Sequence, residues 1–190
     1  MNSLKTSMLY ATLLMLAVLT TLWSYQYFDS SDPTQAPSKN AHLHAYANEI
    51  TITQYNEQGK PRSQVSAPYE MQYLNPAFTS FLQPRITLYP PDKTPWHISS
   101  GYGQARDNFT TLQLWDNVDM QQAAGAHNRE TRIQMPYVNY FPKRDRVTTD
   151  APVKATQTNA TVTSVGLIAN TANSTVHFLS QVRSRYEPDR

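Results

Sequence analysis

Hydrophobic and polar residues alternate one by one along much of the chain after residue 40. Ile50 and Ile52 alternate with Thr51 and Thr53, and this run stops at residues 56–59, whose final glycine suits a hairpin turn. The 3.6-residue period of an amphipathic helix does not persist in this region. Since successive side chains of a strand point to opposite faces, the pattern predicts strands that each have one apolar face. The folded part is therefore expected to be all-β.

Further sets of apolar residues continue this two-residue period, and each set is expected to project to one face of its strand. They are Ile86 with Leu88; Trp96 and Ile98 with Tyr102, although Ser100 and a glycine step at 101–103 that could host a bulge break this set; Leu112 and Leu114 with Val118 and Met120; Ile133 and Met135 with Tyr137; and Val176 and Phe178 with Val182. His97 and His177 have the opposite parity and are expected on the solvent side. The 13 prolines are expected at turns and sheet edges, because proline cannot donate a hydrogen bond to a sheet. Two facing sheets with irregular edges therefore fit better than a closed barrel.

An internal similarity runs through the second half of the chain at a constant spacing of 64 residues, as from Ile98 to Val162. The matched pairs are Ile98 and Val162, Ala105 and Ala169, Leu112 and Val176, Leu114 and Phe178, and Val118 and Val182. Similarity at a fixed interval is typical of repeated β units. Either two stretches build the same strand-turn-strand unit, or the match is a coincidence.

The N-terminus has the composition of a membrane span. Residues 6–28 contain no charged residue and have a continuous apolar centre at 13–19, with aromatic residues at the far end and Lys5 at the near end. About 20 residues suffice to cross ~30 Å of hydrocarbon. A cleaved signal peptide is the alternative, but no A-x-A-like site follows. The predicted organisation is an anchor at 1–28, a flexible linker at 29–40 and an exported domain at 41–190.

Composition removes several classes of function. The chain has a formal net charge of +2 with scattered Lys and Arg, which disfavours nucleic-acid binding, and it has no cysteine for disulfides or thiolate metal sites. His42 and His44 form a His-x-His pair without an acidic partner nearby, so no metal site is predicted. No G-x-S-x-G, P-loop or H-E-x-x-H motif is present. We therefore expect no catalytic residues, no cofactor and no enzymatic activity.

Several segments, taken in order with the N-terminal apolar run, resemble the LptC family of the bacterial lipopolysaccharide export machine. They are residues 47–52, 55–60, 96–99, 112–120, 147–153 and 182–187. The resemblance implies a twisted, open β-jellyroll of antiparallel strands, of the OstA-like type, preceded by one transmembrane helix. It departs from the family at Asp116 before Asn117, where a glycine is frequent, which leaves the geometry of a local bulge open.

The resemblance also implies that the inside of the jellyroll holds the acyl chains of lipopolysaccharide. From the residues alone, a filled core, as in a membrane-anchored structural or adhesive β-sandwich, is favoured over a groove held open for lipid. If lipid binds, the candidate lining is the apolar set of the predicted strands: Ile50, Ile52, Phe81, Ile86, Trp96, Ile98, Leu112, Leu114, Val118, Val176, Phe178 and Val182.

Partners follow from the same resemblance. The C-terminal strand would pair with the soluble bridge protein LptA by β-augmentation, whereas the N-terminal edge and the anchor would meet the LptB–LptF–LptG transporter, which hydrolyses ATP. The protein would lie in the inner membrane as a single-pass protein, with its N-terminus in the cytoplasm and its C-terminal domain in the periplasm. The residues expected to contact LptA are Val176, Phe178, Gln181, Val182 and Tyr186.

Overall fold

The structure, a computed structural model, describes residues 42–74, 76–173 and 175–187, so the predicted anchor at 1–28 and linker at 29–40 lie outside the described residues. Within the described ranges, no helix is long and apolar enough to cross a membrane. The regular elements of the described residues are eleven strands and one short 3₁₀ helix. They are β1 His42–Tyr55, β2 Pro61–Leu74, β3 Phe78–Leu82, β4 Arg85–Leu88, β5 Trp96–Ser99, β6 Tyr102–Arg106, β7 Thr111–Gln122, β8 Thr131–Phe141, the 3₁₀ helix Pro142–Arg144, β9 Arg146–Gln157, β10 Ala160–Asn170 and β11 Thr175–Tyr186.

All eleven strands form one antiparallel sheet, which confirms the all-β prediction. β1 pairs with β2, which pairs with β4 in its first half and β3 in its second. β4 continues to β5 and β3 to β6, and both β5 and β6 pair with β7. From there β8, β9, β10 and β11 follow in order. The sheet has two edge strands in the described part, β1 and β11, and is therefore open.

Positions at which the regular β backbone is interrupted lie opposite each other on neighbouring strands. Together they form a line across the sheet, which we call the crease. At the crease β2 changes partner from β4 to β3, and β7 changes from β6 to β5. Bulges and bends of this kind are how strands turn the corner between two packed layers. The crease residues either have a positive φ or are prolines inside strands: Glu49, Pro68, Asp116, Asn117, Pro136, Pro152, Gly166 and Gln181.

The prediction that prolines keep to turns and sheet edges is wrong for three of them. Pro68, Pro136 and Pro152 lie within β2, β8 and β9. Each stands at the crease, where the register between neighbouring strands shifts or the strand changes partner. Because the hydrogen-bond ladder is interrupted there, the missing N–H of proline costs little.

The crease divides the sheet into two layers that face each other. Layer 1 contains β3, β6 and the halves of the long strands next to them, and layer 2 contains β4, β5 and the other halves. Arg62, near the free end of layer 2, contacts Asp145 at the free end of layer 1. These two residues can meet only because the sheet folds over at the crease. One hydrophobic cluster fills the space between the layers, with Phe81 and Leu167 from layer 1 and Ile86 and Ile133 from layer 2.

The crease also reverses which residues of a strand point inward, and this corrects two predictions. Tyr102 has the parity of Trp96 and Ile98 but lies within the predicted break at residues 101–103, and it is 46% exposed, whereas those two are buried. Tyr137 was grouped with Ile133, but it is only half-buried, and inward positions resume at Val138. Both tyrosines follow a break in the ladder, so the simple two-residue count no longer holds for them.

The similarity at 64 residues is a structural repeat. In the hairpin β6–β7, Ala105 pairs with Leu112, and in β10–β11 the equivalent Ala169 pairs with Val176. Ser100 Oγ donates to the carbonyl of Tyr102, as Ser164 Oγ donates to that of Gly166. The two hairpins thus share register and a side-chain turn.

Candidate functional site

The candidate site is the apolar space between the two layers. Seven of the twelve predicted lining residues are buried there, with side chains 1–6% exposed. They pack in one cluster with residues such as Val65 and Met120. In this conformation the centre of the jellyroll is therefore filled by its own side chains. These seven are Phe81, Ile86, Trp96, Ile98, Leu112, Leu114 and Val118.

Four more of the predicted residues lie on the two edge strands and are only partly buried. Ile50 and Ile52 are on β1, and Val176 and Phe178 are on β11. Ile50, Val176 and Phe178 pack against the core cluster. The apolar inner face thus runs from one edge of the open sheet to the other, and it becomes more accessible at both edges.

Val182 differs from the other eleven, because its side chain is 51% exposed. Gln181 beside it has a φ of +49°, and the pairing of β10 with β11 shifts register at this point. Every residue of β11 after Phe178 is exposed. Val182 therefore does not join the core cluster, although its spacing from Phe178 suggested that it would.

The free side of the two layers, opposite the crease, has a cleft of about 400 Å³ that we call the mouth. On the side of layer 2, the cleft is lined by the β1–β2 turn and residues 88–91. On the side of layer 1, it is lined by Tyr140, Asp145 and residues 171–172. Arg62 Nη2 donates to Asp145 Oδ1 over 2.6 Å and to the carbonyl of Pro142 over 3.2 Å. Lys93 Nζ donates to the carbonyl of Asn173 over 2.9 Å. These contacts join the free ends of the two layers.

Electrostatics at the mouth centre on the same ion pair. The hydrogen bond from Arg62 to Asp145 raises the pKa of Arg62, against the opposing effect of burial. Burial raises the pKa of Tyr140 to about 12; the negative charge of Asp145 adds to this shift, and the positive charge of Arg62 opposes it. Tyr140 is thus a neutral phenol beneath a charged pair.

The predicted partner-binding residues lie on β11, a twelve-residue edge strand that pairs with β10. Gln181, Val182 and Tyr186 are exposed, and Val176 and Phe178 are partly buried. Two basic residues, Arg183 and Arg185, accompany them, and Arg185 forms an ion pair with Glu187. An open edge of this length presents unpaired backbone groups to a further strand.

The remaining residues singled out in the sequence are four histidines and the pair Asp116–Asn117. His97 and His177 are exposed, as their parity predicted. His42 and His44 are exposed on β1, and the described residues contain no cluster of His, Asp or Glu that could hold a metal ion. Asp116 and Asn117 both have positive φ and form a bulge opposite Pro136, so the bulge exists without the glycine frequent in the family.

Two residues of the mouth, Arg62 and Asp145, did not stand out in the sequence. They are 83 positions apart and follow no motif or period. The nearest signal is the basic run around Asp145, formed by Lys143, Arg144 and Arg146.

Comparison with solved structures finds the same architecture in a periplasmic protein. LptH, described as the LptA homologous periplasmic component of the conserved lipopolysaccharide transport device from Pseudomonas aeruginosa, superposes with a TM-score of 0.52. The match covers 66% of this chain and 95% of LptH at 11% identity, which is evidence for the shared jellyroll fold. No curated protein sequence matches the chain.

The family comparison covers nearly all of the chain. The sequence profile of LptC, described as "Lipopolysaccharide-assembly, LptC-related", matches residues 10–187. The chain therefore belongs to the LptC-related family of lipopolysaccharide-assembly proteins.

Proposed function

We propose that this protein binds the acyl chains of lipopolysaccharide between its two layers and passes the lipid from the inner-membrane transporter LptB–LptF–LptG to LptA. Family membership supports a role in lipopolysaccharide transport. The observation that carries the finer proposal is the continuous apolar inner face, which extends from Ile50 on one edge strand to Phe178 on the other. A transport module needs such a path, because the lipid must enter at one edge and leave at the other.

The energetic reason for the path is the cost of exposing acyl chains to water, roughly 0.8 kcal/mol for each CH₂ group. Contact with Phe81, Leu114 and their neighbours would remove most of that cost. Since these side chains now pack on each other, the lipid can enter only if the layers separate. Lipid contacts would then replace the contacts between the layers, so that one apolar interface is exchanged for another.

The edge strands are the proposed docking sites. β11 would accept a strand of LptA, and β1 would meet the transporter, with backbone hydrogen bonds supplying affinity and alternate side chains supplying specificity. The predicted anchor at 1–28 would hold the domain at the periplasmic face of the inner membrane. ATP hydrolysis would take place on the partner transporter, and this chain would contribute no catalytic group.

One observation favours a second candidate function. The residues at the centre of the jellyroll are buried against each other, and a structural or adhesive β-sandwich module requires such a buried core. The two candidates differ in whether the inner face ever contacts lipid. Membership of a lipopolysaccharide-assembly family supports the transport function.

Native mass spectrometry of the full-length chain tests the proposal. The chain is purified in a mild detergent from cells that make lipopolysaccharide, and it is sprayed without denaturation. We expect a population heavier by the mass of one glycolipid, and this added mass should shift when the cells make isotopically labelled lipopolysaccharide. A single species at the mass of the bare chain, together with no displacement of a fluorescent lipid, would favour the structural module.

A further inference from the structure

The mouth of the jellyroll is an entrance to the apolar interior, and the chain segments around it are rich in basic residues. Tyr140 and Leu88, whose side chains belong to the core cluster, also line the mouth. The chain segments around it, residues 55–62, 88–93 and 140–146, contain six basic and three acidic residues, whereas the whole chain has a net charge of only +2. The basic residues are Lys60, Arg62, Lys93, Lys143, Arg144 and Arg146.

Arg62 is the basic residue that lines the mouth itself, beside the acidic residues Glu57 and Asp145, and its geometry suits an oxyanion. Its side chain is 41% exposed, and both of its contacts across the mouth use the same nitrogen, Nη2. A guanidinium has five N–H donors in a planar fork that matches carboxylate and phosphate groups alike. The carboxylate of Asp145 therefore occupies a position that a phosphate oxygen could take.

We infer that Arg62 is a subsite for the phosphate monoester of an acylated, phosphorylated glycolipid, and that Asp145 occupies its guanidinium until this ligand arrives. The inference rests on the proposed function, because the acyl chains would lie between the layers. A ligand whose chains lie between the layers and whose head group lies at the mouth brings its phosphates to the chain segments around the mouth. The excess of basic residues there complements a phosphorylated head group and would repel a cationic one.

Exchange of Asp145 for phosphate would break one of the contacts that hold the two layers together at the mouth. Asp145 is fixed to both neighbouring turns of layer 1, since its N–H donates to the carbonyl of Pro142 and its carbonyl accepts from the N–H of Thr171. The ion pair with Arg62 links this assembly to β2 of layer 2. When phosphate takes over Arg62, that link is broken while the turns of layer 1 remain intact. Ligand binding and opening of the mouth are thereby coupled.

Binding measurements on the full-length chain in nanodiscs of uncharged lipid test this inference. The probes are a hexa-acylated glucosamine disaccharide with two phosphates, the same lipid without phosphates, and inorganic phosphate. Arg62→Gln removes the guanidinium, and Asp145→Asn removes its internal partner. Arg132→Gln is the matched control, because Arg132 forms a similar ion pair with Asp119, which is not part of the mouth.

We expect Arg62→Gln to weaken binding of the phosphorylated lipid about tenfold, as loss of a charge-assisted hydrogen bond does, and not to weaken binding of the dephosphorylated lipid. Asp145→Asn should tighten binding of the phosphorylated lipid, because the competing carboxylate is gone, and Arg132→Gln should change the binding of neither lipid.

If the wild type binds both lipids and Arg62→Gln weakens both or neither, the inference fails while the proposed function stands. If the wild type binds neither lipid, both fail. If inorganic phosphate binds as tightly as the phosphorylated lipid, the site takes free phosphate and the lipid assignment is overturned.

Discussion

Gly101 lies directly against Asp116 at the point where β7 changes its partner strand. The N–H of Gly101 donates to the carbonyl of Asp116 over 2.8 Å, and a Cβ added to Gly101 would overlap the Asp116 carboxylate. It would also come within 2.9 Å of the Cβ of Asp116, which cannot rotate away. The crease therefore depends at this point on a residue without a side chain.

Substitution of Gly101 by alanine should lower the free energy of unfolding by roughly 1–3 kcal/mol, as forced overpacking does. In Asp116→Gly the obstructing side chain is absent, and its φ of +68° suits glycine. The double variant should therefore lose less than the sum of the two single variants. Denaturant titration measures all four proteins.

Gly59→Ala is the control for this cycle. Gly59 has a φ of +72°, and a Cβ added there would have no other atom within 4 Å, so the cost of Gly59→Ala comes from the backbone alone. Asp116→Gly should not restore its stability. Equal rescue of both alanine variants would contradict the contact between Gly101 and Asp116.

The strands were predictable because alternation of apolar and polar residues is local. The sets around Ile98, Leu114 and Ile133 fall in strands as expected. The sequence did not predict which face of the sheet the side chains beyond the crease point to. One residue with positive φ, such as Asn117 or Gln181, reverses the inward and outward positions in the rest of its strand. Asn can adopt such a φ or an ordinary extended one, and its presence alone does not decide between them.

The candidate site was predictable only in its apolar part. The inward residues of the long strands could be read from parity, and the 64-residue similarity matched Val176 and Phe178 to Leu112 and Leu114, which are buried. The closed state of the interior and the ion pair between Arg62 and Asp145 depend on how the sheet folds over itself. No local pattern encodes that fold, because the two residues are 83 positions apart.

Two arginine substitutions inside the jellyroll should have different effects. Leu114 is 1% exposed, so Leu114→Arg buries an unpaired charge and should unfold the domain. Phe178 is partly buried on an edge strand, where a long side chain can extend its charge into water. Phe178→Arg should therefore stay folded by circular dichroism and lose most glycolipid binding.

Leu179→Arg is the control for Phe178→Arg, because Leu179 is the next residue of β11 and is already 53% exposed. It should keep both fold and binding. A folded Phe178→Arg protein that binds glycolipid as the wild type does would argue against the inner face as the binding surface.

Proline substitutions at two adjacent positions of β11 test pairing with LptA. Along a strand successive N–H groups point to opposite sides, so either Arg183 or Ser184 directs its N–H away from β10. Proline at that position should abolish copurification with LptA and leave the melting temperature nearly unchanged. Proline at the other position removes a bond to β10 and should lower the melting temperature. Two variants that both copurify with LptA at the wild-type level would contradict pairing through this edge.

Ionisation of the buried Tyr140 should lower the free energy of unfolding in strongly alkaline solution. Burial, aided by Asp145, raises the pKa of Tyr140 from 10.0 to about 12. A raised pKa means that the folded state holds the proton more tightly, so this contribution is complete below pH 10 and is lost as the pH rises from 10 through about 12. It amounts to roughly 2–3 kcal/mol. Unfolding free energies of the wild type should therefore fall more steeply over this interval than those of Tyr140→Phe, and parallel curves would contradict the shift.

Site-specific photo-crosslinking in living cells tests the central claim most directly. A photoreactive phenylalanine derivative is placed at Phe178, on the inner face, or at its neighbour His177, which is exposed. We predict that irradiation attaches lipopolysaccharide to the protein labelled at 178, only when the transporter is active, and not to the protein labelled at 177. Lipopolysaccharide attached at 177 and absent from 178, in proteins that both fold and reach the membrane, would contradict the claim that the inner face carries the lipid.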